Sequence, residues 1–271
     1  MPELPEVETT MRALAARLTG AAFTKIEQRR PDLRFPLPDN LPKRLENRQI
    51  IGFRRRAKYI LIDLSGGQTL VIHLGMSGRL LFDGEFQGKH EHLTFHFDPA
   101  TTLRFVDPRR FGMLDLMSTS GQPGHAWFAH LGIEPLGNAF SGPELASRLA
   151  GCVSPVKTAI MDQRRVVGVG NIYASESLFL AGISPNRKAC NVQGRRTEKL
   201  ADAIRAVLQK AIAAGGSSLR DYVQSNGELG NFQSQFNVYD RAGEACPQCA
   251  QPIRRIVQSN RATFYCARCQ G

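Results

Sequence analysis

Cys246-Pro247-Gln248-Cys249 and Cys266-Ala267-Arg268-Cys269 enclose a sixteen-residue stretch, Ala250 to Tyr265, and the spacing of the two pairs decides how the end of this chain folds. A Cys-x2-Cys turn points two thiolates at one metal. A second such turn about sixteen residues on returns as a β-hairpin and closes a tetrahedral shell. Four thiolates leave zinc no water-bearing position, so the metal is expected to be structural, supplying folding free energy to a segment too small to bury a core. Two disulfides would use the same cysteines, but the N-terminus lacks the basic region of a secretory signal and two further cysteines, Cys152 and Cys190, stand apart. Residues 246–271 hold Arg254, Arg255, Arg261 and Arg268 and no acidic residue, a hairpin suited to pressing guanidinium groups on phosphates.

The whole chain has the same sign. Among 271 residues, 35 Lys and Arg against 24 Asp and Glu give a net charge of +11, the electrostatic footprint of a nucleic-acid binder. No apolar run approaches the roughly 18 residues of a membrane span. With Glu3, Glu6 and Glu8 near its start, the chain is expected to act in the cytoplasm without a membrane.

The pattern predicts an α+β chain whose sheet part precedes its helical part. Pro5 suits a first helical turn, Glu6 and Glu8 complement the dipole, and Val7, Met11, Leu14 and Leu18 form one apolar stripe before Gly20. Residues 22–117 read as short strands with turns at Ser65-Gly66-Gly67 and Asp98-Pro99, a sandwich or flattened barrel. After Gly137 the pattern turns helical: a segment near 155–163, a Gly-rich turn at 167–170, and a helix from Asn171, read as N-cap, to about Ala181. A longer helix from Thr197 to Ala214 places Leu200, Ile204, Val207, Leu208 and Ala211 on one face, with Gly215-Gly216 as its stop. Residues 225–237, rich in Asn, Gln, Gly and Ser, read as a mobile loop.

Several residues could carry chemistry. Arg54, Arg55, Arg56 and Lys58 form one basic cluster; Asp107-Pro108-Arg109-Arg110-Phe111 forms another, with an aromatic beside the arginines. Phe111 and Met76, the latter in the Gly-flanked loop 75–78, are candidate wedges into a base stack, although both also suit a core. Asn171 opens a helix behind a Gly-rich turn, where backbone N–H groups can meet a phosphate. His90 and His92, on an expected strand edge, suit surface or phosphate contacts better than a metal site. Spacing alone stops at a zinc-containing DNA or RNA binder.

Six ordered words extend that reading: Met1-Pro-Glu-Leu-Pro-Glu-Val-Glu8, Arg55-Arg-Ala-Lys-Tyr59, His73-Leu-Gly-Met-Ser-Gly78, Asp107-Pro-Arg-Arg-Phe-Gly112, Val167-Gly-Val-Gly-Asn-Ile-Tyr-Ala174 and Arg261-Ala-Thr-Phe-Tyr-Cys266. Together they resemble the bacterial formamidopyrimidine-DNA glycosylase family, base-excision repair enzymes for 8-oxoguanine and ring-opened purines. The resemblance implies two domains: an N-terminal β-sandwich with an N-terminal helix (1–136), and a helical domain with a helix-two-turns-helix element (137–240) ending in a four-cysteine zinc finger (241–271). It implies removal of Met1, the amine of Pro2 as nucleophile, Glu3 as the acid for the sugar ring oxygen, and Lys58 as a catalytic cation that also grips phosphate. His92, Arg110, Asn171 and Arg261 are then expected to bind DNA, and Met76, Arg109 and Phe111 to fill the space of the extruded nucleotide. Cys246, Cys249, Cys266 and Cys269 hold one zinc, with no redox or nucleotide cofactor. The loop from Ser217 to Phe236 closes over the flipped base. The implied partner is duplex DNA containing an oxidised purine, bound by a monomer working at the nucleoid and cleaving by β,δ-elimination.

The chain departs from the family pattern at Glu91, where Asp is usual, at Ile133 for Pro, at Asn231 for Tyr and at Asp240 for Gly. Competing readings are an endonuclease VIII-like enzyme for oxidised pyrimidines, a non-catalytic binder of damaged DNA, and a generic zinc-ribbon binder. Leu4 with the Met76, Arg109 and Phe111 set favours the purine enzyme, intact Pro2 and Glu3 oppose the non-catalytic binder, and the zinc-ribbon reading predicts that the first eight residues are dispensable.

Overall fold

The computed structural model describes residues 2–82, 88–98, 100–218 and 230–271. They form two compact units: residues 1–129 with 214–231, and residues 130–213 with 232–271. The segment 214–231, placed by the sequence with the helices, thus associates with the first unit.

The first unit opens with α1, Leu4–Leu18, whose Val7, Leu14 and Leu18 are buried as the stripe predicts. There follow β1 (Ala22–Gln28), a short α2 (Leu41–Leu45), β2 (Ile50–Arg56), β3 (Tyr59–Leu64), β4 (Gln68–His73), β5 (Arg79–Phe82), β6 (Glu91–Asp98), β7 (Thr101–Val106) and β8 (Met113–Ser118). They pair antiparallel into two four-stranded sheets, in the orders β1-β6-β7-β5 and β2-β3-β4-β8. The core lies on their inner faces, where Phe23 meets Phe95 edge-on at 5.9 Å and Phe97 at 4.7 Å beside Ile60, Leu70 and Leu93. Each buried side chain of this size contributes roughly 1.5–3 kcal/mol. Glu91 is 6% exposed on β6 and pairs with Arg29 at 2.8 Å and Arg104 at 3.7 Å, so the departure from Asp gives a carboxylate held by two guanidinium groups.

The second unit contains α3 (Gly142–Leu149), α4 (Val156–Met161), α5 (Asn171–Leu180), α6 (Arg195–Ala213), β9 (Arg254–Gln258) and β10 (Arg261–Tyr265). Every residue of α5 from Tyr173 to Phe179 is buried, which makes it the central helix. The expected face of α6 is buried from Leu200 to Ala211, and Gly215 and Gly216 take φ of 75° and 82° at its stop. Ile133 donates its N–H to Arg165 O at 3.1 Å, a bond that the usual Pro could not make. Asp240 has φ of 60°, the left-handed region that explains why Gly is usual there. Part of the expected loop 225–237 lies outside the described residues; the remainder is not loose. Phe232–Gln235 form a 3-10 turn, and Phe232, 2% exposed, packs 5.7 Å from both Tyr173 and Phe236, so two aromatic rings override a polar composition. Among the described residues no helix is long and apolar enough to cross a membrane.

Glu176, 1% exposed in the middle of α5, accepts hydrogen bonds from the backbone N–H groups of Asn237, Val238 and Tyr239 and from the Asn237 amide, all at 2.9 Å. Its carboxylate anchors the chain leading into the cysteine hairpin. Glu176→Ala is expected to lower the unfolding free energy by about 3 kcal/mol, because it strands buried backbone donors. Urea unfolding measures this, and an unmoved midpoint would show that the cradle is dispensable.

Candidate active site and nucleic-acid interface

The N-terminus is held by two carboxylates. Pro2 is buried and Glu3 is 3% exposed at the N-cap of α1, where Glu3 and Glu6 form a reciprocal capping box; Glu6 Oε2 accepts from Glu3 N at 2.8 Å. The other oxygen of Glu6 accepts from Ser217 N, also at 2.8 Å. Glu6 is therefore more than a complement to the helix dipole: it fixes both the residue after Pro2 and the start of the segment 217–236. The Glu3-x2-Glu6 spacing signals the cap, but nothing local signals Ser217. Residues 219–229 of that segment, like Met1, lie outside the described residues.

Ala57 and Lys58 form the two-residue turn between β2 and β3, with Ala57 at φ 53° and Lys58 7% exposed. Arg55 pins this turn to α1, its Nε donating to Glu8 at 2.8 Å and its Nη1 to Ala57 O at 3.0 Å. Arg54 donates to both oxygens of Asp63 at 2.6 and 2.7 Å and to Gln122. Asp63 is raised by desolvation, yet the Arg54 hydrogen bonds carry it below its ordinary range. The basic cluster at 54–58 thus differs from expectation: Arg54 and Arg55 act as struts, and Lys58 is the cation they place.

His73 ends β4 beneath Tyr59, ring centroids 4.8 Å apart, and its Nδ1 accepts from Gly75 N at 3.0 Å. Desolvation, with the charges of Lys58 and Arg34, pushes it down to about 4. It is neutral at pH 7 and carries its proton on Nε2. Sequence reasoning misses this ring, although it opens the His73–Gly78 word.

The candidate wedge is built on Asp107, which is fully buried. Its Oδ1 accepts from Ser77 Oγ at 2.5 Å and Arg109 N at 3.3 Å, its Oδ2 from Gly112 N at 2.7 Å. One carboxylate thereby ties the loop carrying Met76 to the turn carrying Arg109, Arg110 and Phe111. Gly75, at φ 62°, lies so close that a Cβ would sit 2.3 Å from the Phe111 carbonyl carbon. With the turn pinned underneath, Phe111 stands 41% exposed, the Arg109 guanidinium lies 4.8 Å over its ring, and Arg110 projects at φ 55°. Met76 is half-buried. His92 corrects the expectation of a surface histidine: it is 5% exposed, with Nε2 at 2.8 Å from Asp107 O. It supports the turn from within because the chain bulges between Glu91 and Leu93.

In the second unit, Asn171 is not the N-cap. Gly170 occupies that position, and the Asn171 side chain turns to the hairpin, its Nδ2 donating to Ala262 O at 2.9 Å. Lys157, 1% exposed, donates to Asn171 Oδ1 at 2.6 Å, Thr263 Oγ1 at 2.7 Å and Ala262 O at 2.9 Å. This buried ammonium joins α4, α5 and β10 and sets the root of the exposed Arg261. The four cysteine sulfurs lie within 4.8 Å of one another, with Cys246 and Cys269 at 3.9 Å and Cys249 and Cys266 at 3.4 Å. Sulfurs about 2.3 Å from zinc in a tetrahedron stand roughly 3.8 Å apart, so the donor set fits. As bare thiols they conflict: burial and the other sulfurs push Cys269 up to about 12, while backbone N–H groups bring Cys266 to about 7 against its desolvation. A divalent cation resolves that conflict.

Three family models match successive parts of the chain. Residues 1–114 match the formamidopyrimidine-DNA glycosylase N-terminal domain, 131–223 the H2TH domain of the same enzymes, and 243–271 the zinc finger found in FPG and IleRS. A formamidopyrimidine-DNA glycosylase of Ruegeria sp. (strain TM1040) is 49% identical over 282 residues, and one of Acidiphilium cryptum (strain JF-5) is 51% identical over 275, each alignment covering all of both chains. The MutM (FPG) protein of Thermus thermophilus superposes with TM-score 0.89 at 38% identity over 99% of this chain and 98% of its own. Lactococcus lactis Fpg bound to abasic-site DNA superposes with TM-score 0.91 at 33% identity over 99% of each chain. The fold and its three matched segments define a zinc-finger DNA glycosylase architecture. The chain belongs to the formamidopyrimidine-DNA glycosylase family.

Two measurements test the site. Lys157→Met is expected to speed amide exchange at Arg261, Ala262 and Thr263 by tenfold or more, roughly the loss of one charge-assisted bond; unchanged exchange would remove Lys157 as the hub. His73 takes a proton more readily in the unfolded chain, whose ordinary value is 6.5, than in the fold, at about 4. Its contribution is thus complete above pH 6.5 and lost as pH falls towards 4, with a slope of at most roughly 1.4 kcal/mol per pH unit. His73→Gln should flatten that limb in urea unfolding, and an identical limb would contradict the buried neutral ring.

Proposed function

We propose that this protein excises oxidised purines, 8-oxoguanine and formamidopyrimidines, from duplex DNA and then cleaves the strand as an abasic-site lyase. Full-length kinship with the glycosylases supports the reading, and the observation that carries it is the buried Pro2-Glu3 pair locked by Glu6. In this mechanism Met1 is removed and the secondary amine of Pro2 attacks C1′ of the damaged nucleoside. The C1′–N bond breaks, the base leaves with a proton, and Glu3 protonates the ring oxygen as the sugar opens. The resulting iminium ion acidifies the C2′–H bond. Loss of that proton expels the 3′ phosphate, and a second elimination expels the 5′ phosphate.

Attack needs the unprotonated amine, which a neighbouring cation favours by like-charge repulsion. Lys58 is the candidate cation and also a phosphate ligand. Bringing the nucleotide out of the stack costs a few kcal/mol; Met76, Arg109 and Phe111 offset this by filling the space, with Arg109 towards the orphaned base. Arg110, Asn171 and Arg261 hold phosphates, and His92 acts through the turn that it supports. Zinc, bound by Cys246, Cys249, Cys266 and Cys269, supplies fold stability to the hairpin bearing Arg261. The enzyme works as a monomer in the cytoplasm.

A second reading, action on oxidised pyrimidines, has one observation in its favour: a solved complex of Lactococcus lactis Fpg, with TM-score 0.90 to this chain, contains oxidised pyrimidine DNA. The two readings separate by relative rates on the two duplexes. The mechanism is tested by borohydride reduction of enzyme mixed with duplex bearing 8-oxoguanine opposite cytosine. A covalent adduct is expected from the native chain and a much lower yield from Pro2→Gly, whose N-terminal amine is primary and less well placed; absence of the first, or an unchanged yield in the second, would sink the mechanism.

A further inference from the structure

Cys152 and Cys190 take no part in the zinc quartet, and the fold of the second unit brings them together at the base of the α4–α5 element. The segment before α4 runs antiparallel to the segment that follows α5. Val156 N donates to Arg187 O at 2.8 Å, Ala189 N to Ser154 O at 2.9 Å and Cys190 N to Cys152 O at 2.9 Å, around a bridge between Pro155 and Lys188. Residues joined by a direct backbone bond between antiparallel segments hold their α-carbons roughly 4.5–5.5 Å apart, within the roughly 4.4–6.8 Å that a disulfide spans. Both thiols are free and partly exposed, and Val153 beside them is 72% exposed, so a small solute reaches them from solvent. Each sulfur now rests on a polar atom of its own segment: Cys152 Sγ lies 3.0 Å from Ser154 Oγ, and Cys190 Sγ 3.6 Å from Asn191 Oδ1.

We propose that Cys152 and Cys190 are a reversible disulfide site, closed by a peroxide and reopened by a small thiol, that staples the base of the α4–α5 element. Closure turns the two side chains about their Cα–Cβ bonds and leaves the paired backbone in place. With hydrogen peroxide, one thiol attacks first: an S–O bond forms, the O–O bond breaks, and the leaving hydroxide takes the thiol proton as water. The second thiol attacks the oxidised sulfur: the S–S bond forms, the S–O bond breaks, and hydroxide again leaves as water. The two thiols lose two electrons, and one peroxide becomes two waters. The bridge encloses residues 153–189, which include Lys157, Asn171 and the whole of α5, so it removes freedom from the unfolded form of that element. The chemistry is independent of the glycosylase reading, which gives it a use: 8-oxoguanine and the bridge are both products of oxidation.

The experiment treats the full-length zinc protein with a few equivalents of hydrogen peroxide and follows peptide mass, zinc content and urea unfolding. A peptide pair joined through Cys152 and Cys190 is expected, lighter by two hydrogens and absent from Cys152→Ser and from Cys190→Ser. Zinc should remain bound while the pair forms. The oxidised native chain should unfold at a urea midpoint higher by roughly 1 M, and dithiothreitol should return it to the reduced value. Both serine variants should keep the reduced midpoint before and after peroxide. Absence of the joined peptides, their formation only between molecules, or loss of zinc before they form would overturn the site. A bridge that leaves the midpoint unmoved would overturn the staple.

Discussion

A carboxylate with no access to water, Asp107, holds together the part of the first unit that faces outward. Fully buried, it needs several donors, and it finds them in Ser77, in the backbone of Arg109 and in the backbone of Gly112. Those donors come from two loops, so satisfying one buried carboxyl group fixes the relative position of both. An aromatic ring and a guanidinium can then stand exposed without collapsing onto the surface. Such exposure is otherwise unfavourable for a phenyl ring, and here it is maintained by a network on the other side of the backbone.

The same device recurs. Glu6 joins the N-terminus to Ser217, Glu176 joins the central helix to the entry of the cysteine hairpin, and Lys157 joins that helix to β10. Each group is nearly inaccessible, and its partner lies 61 to 211 residues away. Net gain from any single bond is modest, but leaving one partner unpaired costs far more, so these groups specify geometry more than they add stability. Positions that carry candidate chemistry, namely Glu3, Asn171, Arg261 and Phe111, all sit one or a few residues from such a group or from its partner.

How much was legible in the sequence depended on the range of the interaction. Apolar periodicity found α1 and α6 within two residues, because a helix face repeats every 3.6 residues whatever it packs against. Strand alternation found β6 but not the bulge at His92, and without the bulge the ring was expected at the surface. The cap at Asn171 failed for a related reason: Asn is a good N-cap in isolation, but a buried ammonium and a distant carbonyl compete better for its side chain. Charge counting placed four cations at 54–58 and could not show that Asp63 and Glu8 engage two of them.

The sequence by itself determined the zinc quartet, the order of sheet then helix, and the family, since each depends on residue types at fixed short spacing. Tertiary structure alone decided which polar groups are committed inside the fold and which face outward. Arg54 and Arg109 are the same residue type in similarly basic stretches; one is a strut and the other projects over Phe111. That difference lies in partners that only the folded chain brings within hydrogen-bonding distance, and Cys152 met Cys190 by the same route, with no motif to announce it.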